Sequence, residues 1–201
     1  MTNRLAERLL EQPLVYRLWQ APFVRAKLAP VLAEVDLASV RRVLDLGCGP
    51  GTNAPVFAEI DYLGVDINPD YIANARRRFG REFVAADIRT FRVPERERFD
   101  FVLLNSFLHH IDDANTVKIL ESAREALTPD GRVHILDLVL PARPSIARTL
   151  ARLDRGDHPR LLERWRELFT QVFEPEHFEP YPLALGPVTL WNMVYFRGRR
   201  R

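Results

Sequence analysis

The glycine-rich segment at residues 43–51, with the sequence VLDLGCGPG, constrains the fold more than any other part of the chain. Its short apolar run is typical of a buried parallel strand, and the glycines that follow at every second position end that strand. Gly47, Gly49 and Gly51 allow a tight turn and let the backbone approach a ligand without an intervening side chain. We expect a helix over residues 53–60, whose free N–H groups would point toward the ligand. The segment therefore predicts a loop that binds a small-molecule cofactor.

The spacing of the glycines separates the possible cofactor classes. A dinucleotide-binding fingerprint requires Gly-x-Gly-x-x-Gly, but Thr52 stands where the third glycine is needed. A phosphate-binding loop requires a Gly-Lys-Ser/Thr sequence, which does not follow Gly51. The pattern that begins at Asp45 instead resembles the acidic-x-Gly-x-Gly-x-Gly loop of class I S-adenosylmethionine-dependent methyltransferases. That resemblance implies an α/β fold, a three-layer sandwich whose seven-stranded, mostly parallel sheet ends in an antiparallel hairpin.

Acidic residues at two later strand ends fit the same family. Asp66 ends an apolar strand, where a carboxylate can accept hydrogen bonds from both hydroxyls of a ribose. A turn or helix-capping role is the alternative, because Asn68 and Pro69 follow it. The resemblance implies that Asp87 binds the adenine amine and that Ile88 packs on the ring, although Asp87 could simply end a strand at the surface. The implied cofactor-binding residues are Asp45, Gly47, Cys48, Gly49, Gly51, Asn53, Asp66, Ile67, Asp87, Ile88, Asn105 and Ser106.

Two further segments extend the resemblance toward the C-terminus. Residues 105–110, with the sequence NSFLHH, follow an apolar run that predicts the fourth strand. Ligands of open α/β sheets bind beyond the carboxyl ends of the strands, so this segment should border the site. Residues 127–137 resemble the family's turn and fifth strand, with the turn at Asp130 and Gly131. Five such segments, in the correct order over residues 41–138, carry the resemblance.

His109 and His110 are the candidate general bases, because the pKa of an imidazole lies close to neutrality. Consecutive residues at the start of a helix cannot both face one cleft, so we favour His110 slightly. For either ring, a structural role with hydrogen bonds to the backbone is the alternative. We expect the acceptor pocket to include Tyr16, Trp19, Phe107, His110 and Arg143. Tyr16 and Trp19 could instead merely pack on the sheet, and Arg143 could be an exposed helix residue.

We expect no metal ion in the site. Asp112 and Asp113 could ligate a cation beside the histidines, but a helix-capping role explains them more simply. Cys48 is the single cysteine, which excludes an intramolecular disulfide and a cysteine zinc cluster. We interpret Cys48 as a small loop residue and not as a nucleophile.

Composition and net charge do not indicate a particular class of binding partner. The chain of 201 residues has a net charge of +2, so no overall charge excess calls for a nucleic acid or an anionic membrane. No run approaches the ~18 apolar residues of a membrane span, and the polar N-terminus does not resemble a signal peptide. The arginines at residues 197–201 could bind nucleic acid, but we interpret them as a solvated terminus. We therefore expect a cytoplasmic protein with a small-molecule substrate, and the sequence does not define an oligomeric state.

We predict a single methyltransferase domain over residues 1–201. Residues 1–40 form a helical cap broken by prolines that include Pro30, residues 41–138 form the cofactor-binding core, and residues 139–201 add a helical insertion or lid with the last two strands. Within the last part, residues 146–153 and 161–173 are predicted helices, the second beginning near Asp157 with Trp165 in the core. Residues 178–185 and 188–196 are predicted strands around a turn at Gly186 and Pro187.

The resemblance implies transfer of a methyl group from S-adenosylmethionine, with S-adenosylhomocysteine as product, by in-line displacement in a closed cleft. The loop at residues 105–108, NSFL, differs from the Asn/Asp-Pro-Pro-Tyr/Phe loop of methylases that act on base or glutamine amino groups. A small acceptor, aromatic or lipid-like, is therefore the favoured substrate class. The alternatives are a cofactor-binding but non-catalytic partner or regulatory protein, and an RNA or protein methyltransferase.

Overall fold

The computed structural model describes residues 23–154 and 156–201, which build one sheet flanked by helices. The strands are β1 (Arg42–Leu46), β2 (Asp61–Asp66), β3 (Glu82–Ala85), β4 (Phe99–Asn105), β5 (Leu127–Val139), β6 (Phe173–Leu185) and β7 (Val188–Arg200). The helices are α1 (Val24–Glu34), α2 (Pro69–Phe79), α3 (Asp113–Ala126), α4 (Ile146–Leu153) and α5 (Leu162–Val172). Short 3₁₀ turns cover Leu37–Ser39, Ala54–Phe57, Glu95–Glu97 and Leu108–His110.

The strand order is β3-β2-β1-β4-β5-β7-β6. The first five strands of this order pair in parallel, whereas β7 runs antiparallel to both β5 and β6. The predicted seven-stranded sheet with a terminal antiparallel hairpin is thus confirmed. Because β1 lies between β2 and β4, the carboxyl ends of these three strands meet at one edge, where an open α/β sheet binds ligands.

Alternate residues of the central strands enter two separate hydrophobic cores. Leu44 and Val102 belong to a core that contains residues of α3 and α5, whereas Val43 and Phe101 belong to a core that contains residues of α1 and α2. Both faces of β1 are buried, which explains why its sequence is a nearly continuous apolar run. Trp165, from α5, is fully buried as predicted, and its indole N–H donates to the Leu138 carbonyl at 2.8 Å.

Helix α4 has the predicted limits, and α5 differs from its predicted limits by one residue at each end. The helix predicted over residues 53–60 is wrong, because only the 3₁₀ turn Ala54–Phe57 forms there. The connection to β2 is short, and the Asn53 side chain bonds to Asp45 instead of capping a helix. Pro30 was expected to break a helix but lies inside α1. No helix of the described ranges has the length and apolar character needed to cross a membrane.

The C-terminal arginines are not the solvated tail that we expected. β7 extends to Arg200, so most of them pair with neighbouring strands. Arg199 donates two hydrogen bonds to Glu174, at 2.9 and 2.8 Å, and Arg197 lies 3.3 Å from a carboxylate oxygen of Glu34. Acidic partners thus accompany Arg197 and Arg199, which weakens the interpretation of these arginines as a nucleic-acid-binding tail.

We expect the Trp165→Ala substitution to lower the free energy of unfolding by about 3–5 kcal/mol, because it empties a fully buried site and leaves the Leu138 carbonyl without its donor. Urea denaturation measures this change. Gln171→Ala, at an exposed position of the same helix, is the matched control. A loss no larger than that of the control would contradict the packing described here.

Candidate active site

The glycine loop has free space beside its middle glycine and packed side chains beside the other two. Gly47, Gly49 and Gly51 all have positive φ angles, of 72°, 53° and 78°. A Cβ atom on Gly47 would lie 2.6 Å from the ring of Phe107, and one on Gly51 would lie 3.0 Å from the ring of Phe83. A Cβ atom on Gly49 would meet nothing within 4 Å. The loop is therefore packed at both ends, and its backbone faces open space at Gly49.

Asp66 joins the end of β2 to the open part of this loop. Its Oδ2 accepts from the Gly49 N–H at 2.9 Å, and its Oδ1 accepts from the Asn68 N–H at 2.9 Å. Each oxygen of a carboxylate can accept more than one hydrogen bond, so capacity for a ribose diol remains. Asn68, and not Asp66, caps α2 through hydrogen bonds from the backbone N–H groups of Asp70 and Tyr71. The turn role and the ligand role of Asp66 are thus compatible.

Asp45 lies beneath the loop and is fully buried. Its Oδ2 accepts from the Tyr62 hydroxyl at 2.7 Å and from the Asn53 amide at 3.1 Å. Its Oδ1 has no hydrogen-bond partner among the described residues. Burial raises the pKa of Asp45 to about 7, against the opposing effect of these two hydrogen bonds. Asp45 thus supports the loop from below.

A chain of hydrogen bonds continues from Asn53 to the end of β4. The Asn105 amide donates to Asn53 Oδ1 at 3.1 Å, and the Ser106 hydroxyl donates to Asn105 Oδ1 at 2.9 Å. Ser106 has a φ of 60°, the positive region that L-residues rarely adopt. Such backbone strain costs on the order of 1–3 kcal/mol and is common at functional sites. The residues predicted after β1 and β4 therefore form one connected group.

The residues predicted to contact adenine lie after β3. Arg89 binds both oxygens of Asp87, at 2.9 Å from Oδ1 and 2.6 Å from Oδ2, and these hydrogen bonds lower the pKa of Asp87. Ile88 is buried, whereas Ile67 is 65% exposed after β2. An adenine amine would have to share Asp87 with Arg89, and this competition was not evident from the sequence.

His109 is buried, and its ring faces two carboxylates. Its Nδ1 lies 2.6 Å from Asp137 Oδ1, and its Nε2 lies 3.7 Å from Asp154 Oδ1. Burial alone would lower the pKa of His109, but the two carboxylates outweigh burial and raise it to about 9. The raised pKa favours the protonated ring near neutrality, so His109 is less suited than His110 to accept a proton. His110 is exposed, and its ring centroid lies 4.2 Å from that of His109. The expectation that these consecutive residues cannot both face one side is therefore wrong, because both rings also lie beside Asp154.

Arg160 braces the segment that carries the histidines, and sequence reasoning missed it. Its guanidinium donates to the Leu108 carbonyl at 3.0 Å and to the Ile111 carbonyl, and it pairs with Asp113 at 2.6 Å. The helix start expected at Asp157 is wrong, because residues 156–160 run along this turn instead and α5 begins at Leu162. Arg160 belongs to no recognised motif, so the sequence did not indicate that it would bind the backbone of this turn.

The other predicted residues are placed as follows. Cys48 is buried, and burial raises the pKa of its thiol, in agreement with a packing role. Asp112 caps α3 by accepting from the Asn115 N–H at 2.9 Å, as predicted. Arg143 is exposed in the loop after β5. Tyr16 and Trp19 lie outside the described residues.

Comparison with known proteins agrees with the sheet order and the loop. Residues 43–131 match the family model of a methyltransferase domain. An uncharacterized methyltransferase of Mycobacterium tuberculosis is 36% identical over 105 residues, 50% of this chain and 52% of the relative. The trans-aconitate 2-methyltransferase of Methylobacterium nodulans is 35% identical over 108 residues, 51% of this chain and 40% of the relative.

A crystal structure of a Pyrococcus horikoshii protein has the same fold, with a TM-score of 0.69 at 20% identity over 91% of each chain. The fold and the loop define a Rossmann-like domain of the methyltransferase type. The chain is similar to a methyltransferase domain over residues 43–131, and it shares the fold of a SAM-dependent methyltransferase from Methanosarcina mazei, with a TM-score of 0.68 at 18% identity over 85% of this chain and 97% of that chain. It spans about half the length of the curated relatives that it matches.

We expect Gly49→Val to abolish measurable binding of S-adenosylhomocysteine, because the side chain would fill the open position of the loop. Gly80→Val is the matched control, since Gly80 also has a positive φ, of 59°, and open surroundings, but lies at the end of α2. Calorimetric titration measures binding, and thermal melting reports the strain that both variants share. Equal affinity in the two variants would mean that the cofactor does not approach the loop at Gly49.

We expect Asp45→Asn to flatten the dependence of stability on pH. The folded carboxyl, with its pKa raised to about 7, binds a proton that the unfolded chain releases near pH 4. The free energy of unfolding should therefore fall as the pH rises from about 4 to 7, by up to about 1.4 kcal/mol per pH unit from this group. Denaturation at several pH values compares the two proteins. Parallel curves would show that Asp45 is already ionised in the folded state.

Proposed function

We propose that this chain transfers a methyl group from S-adenosylmethionine to a small-molecule acceptor. The observation that carries the proposal is the open backbone at Gly49, directly bonded to the carboxylate of Asp66. An open glycine and an acidic strand end, side by side at the carboxyl edge of the sheet, suit a ligand that combines a ribose with a flexible charged tail.

Positioning is the main contribution expected from the protein. The bound cofactor supplies an electrophilic methyl group, so Asp66 and the glycine loop need only hold it in line with the acceptor. Correct alignment of two reactants can supply about 7–11 kcal/mol of the barrier. Phe107 covers Gly47, and we propose that its ring keeps water from that end of the cleft.

His110 is the group that we propose to accept a proton from the acceptor. It is exposed on the turn that follows β4, at the edge of the sheet where the cofactor loop also lies. His109 is less suited to this role, because the carboxylates of Asp137 and Asp154 raise its pKa and favour its charged form. Of the two candidates taken from the sequence, the local geometry supports His110.

The acceptor class is proposed as a small molecule, aromatic or lipid-like. The relative named trans-aconitate 2-methyltransferase supports a small acceptor but does not define its chemistry here. The strand position of Arg197 and Arg199 weakens the alternative of an RNA substrate. A cytoplasmic location remains a prediction from the sequence.

We expect Asp66→Ala to weaken binding of S-adenosylmethionine by about 10–100-fold, because hydrogen bonds to a charged acceptor contribute about 1.5–3 kcal/mol. Calorimetric titration with S-adenosylmethionine, S-adenosylhomocysteine and NAD measures the affinities. Asp70→Ala, an exposed carboxylate in the first turn of α2, is the matched control.

The proposal would be supported if S-adenosylmethionine and S-adenosylhomocysteine bind and NAD does not, and if a labelled methyl group is then transferred to a member of an acceptor panel. Unchanged affinity in Asp66→Ala would remove the ribose role of that carboxylate. Failure of the wild-type protein to bind either sulfur ligand would overturn the proposed function.

A further inference from the structure

Three side chains that can ligate a metal meet beyond the end of β4. His109 and His110 lie on the turn Leu108–His110, and Asp154 follows the end of α4. One ligand atom from each lies within 4.8 Å of the others. We propose that these residues bind a divalent transition-metal ion, with Zn²⁺ as the ion that best suits two imidazoles and one carboxylate.

The orientation of His109 supports this proposal. Its Nδ1 is bound to the buried Asp137 at 2.6 Å, which turns Nε2 toward Asp154. A metal-binding histidine almost always donates its second ring N–H to a carboxylate or carbonyl in this way. Asp137 therefore orients His109 in the way that a carboxylate orients a metal-binding histidine.

The spacing of the ligand atoms also fits an ion better than a direct hydrogen bond. His109 Nε2 and Asp154 Oδ1 are 3.7 Å apart, beyond the ~3.2 Å limit of a good hydrogen bond. Two ligands of a tetrahedral zinc ion, with bonds of about 2.0–2.2 Å, lie about 3.4 Å apart. A small adjustment of Asp154, which is about one-third exposed, would bring both atoms to an ion, and binding of the ion through Nε2 would release the proton of His109 to solvent.

The segment that carries Asp154 is fixed against the histidine turn. A Cβ atom on Gly156 would lie 2.3 Å from the His109 ring, so only glycine allows this approach. The His158 N–H donates to the His109 carbonyl at 2.9 Å, and Arg160 donates to the Leu108 carbonyl at 3.0 Å. These contacts, which do not depend on an ion, hold residues 156–160 beside the turn that carries both histidines.

Lys27 is the competing cation in this region. It is half-buried near the carboxylates of Asp154 and Asp137, and its removal from water lowers its pKa to about 8 although both carboxylates oppose the shift. A Lys27 ammonium could balance Asp154 in place of a metal ion. The two possibilities differ in a measurable way, because only an ion would require both histidine rings.

A bound ion would refine the proposed function, on which this step of the inference rests. Three protein ligands leave a fourth position of a tetrahedral ion open, as in catalytic zinc sites. The pKa of an acceptor hydroxyl bound there would be lowered and its proton would leave to solvent, whereas an acceptor carboxylate would bind already ionised. The ion, and not His110, would then activate the acceptor oxygen. The acceptor class would accordingly be one that offers an oxygen ligand.

Titration of the chelator-treated full chain with Zn²⁺, followed by calorimetry, tests the site. We expect one ion per chain, and at least a tenfold loss of affinity in Asp154→Asn and in His110→Gln. His177→Gln is the control, because His177 lies beside Glu34 and Glu179 in another part of the molecule and should leave zinc binding unchanged. Thermal melting confirms that each variant is folded.

Equal zinc affinity in wild type, Asp154→Asn and His110→Gln would overturn the proposal, as would the absence of stoichiometric binding to the wild type. Titration of Asp154→Asn with S-adenosylhomocysteine separates this site from the proposed function, because Asp154 lies outside the cofactor loop. Retained cofactor binding with lost zinc binding would support two adjoining sites.

Discussion

The parallel pairing of β1 with β2 on one side and with β4 on the other determines where the site lies. This pairing brings the glycine loop, Asp66 and Asn105 to one edge of the sheet, although they are far apart in the sequence. The strand order reverses direction at β1, where the next strand along the sheet is β4 and not a sequential neighbour. Loops diverge at such a point and leave room for a ligand.

Two buried carboxylates then fix the two loops that border this edge. Asp45 holds the glycine loop through Asn53, and Asp137 holds the turn after β4 through the Leu108 N–H at 2.8 Å and through His109. Each carboxylate lies in a central strand, so each loop is tied to a rigid element. The pKa values of Asp45 and His109 are both raised, but from different causes: burial raises that of Asp45 against its neutral donors, whereas the carboxylates of Asp137 and Asp154 raise that of His109 against burial.

The sequence was sufficient for the features that depend on local pattern. The apolar strands, the glycine loop and the acidic strand ends follow from periodicity and spacing, and the structure places them as expected. It was insufficient where long-range contacts decide the outcome. The arginines after residue 196 became a strand because β5 and β6 offer backbone partners. The helix after the loop was lost because Asn53 bonds to Asp45, and the contact between His109 and Asp154 joins segments that no local motif connects.

A crystal structure with bound S-adenosylhomocysteine would test the central claim most directly. The account predicts that both ribose hydroxyls lie within hydrogen-bond distance of the Asp66 carboxylate and that the ligand passes over the backbone of Gly49. Electron density for the ligand at another edge of the sheet, or a ribose held by other residues, would contradict it.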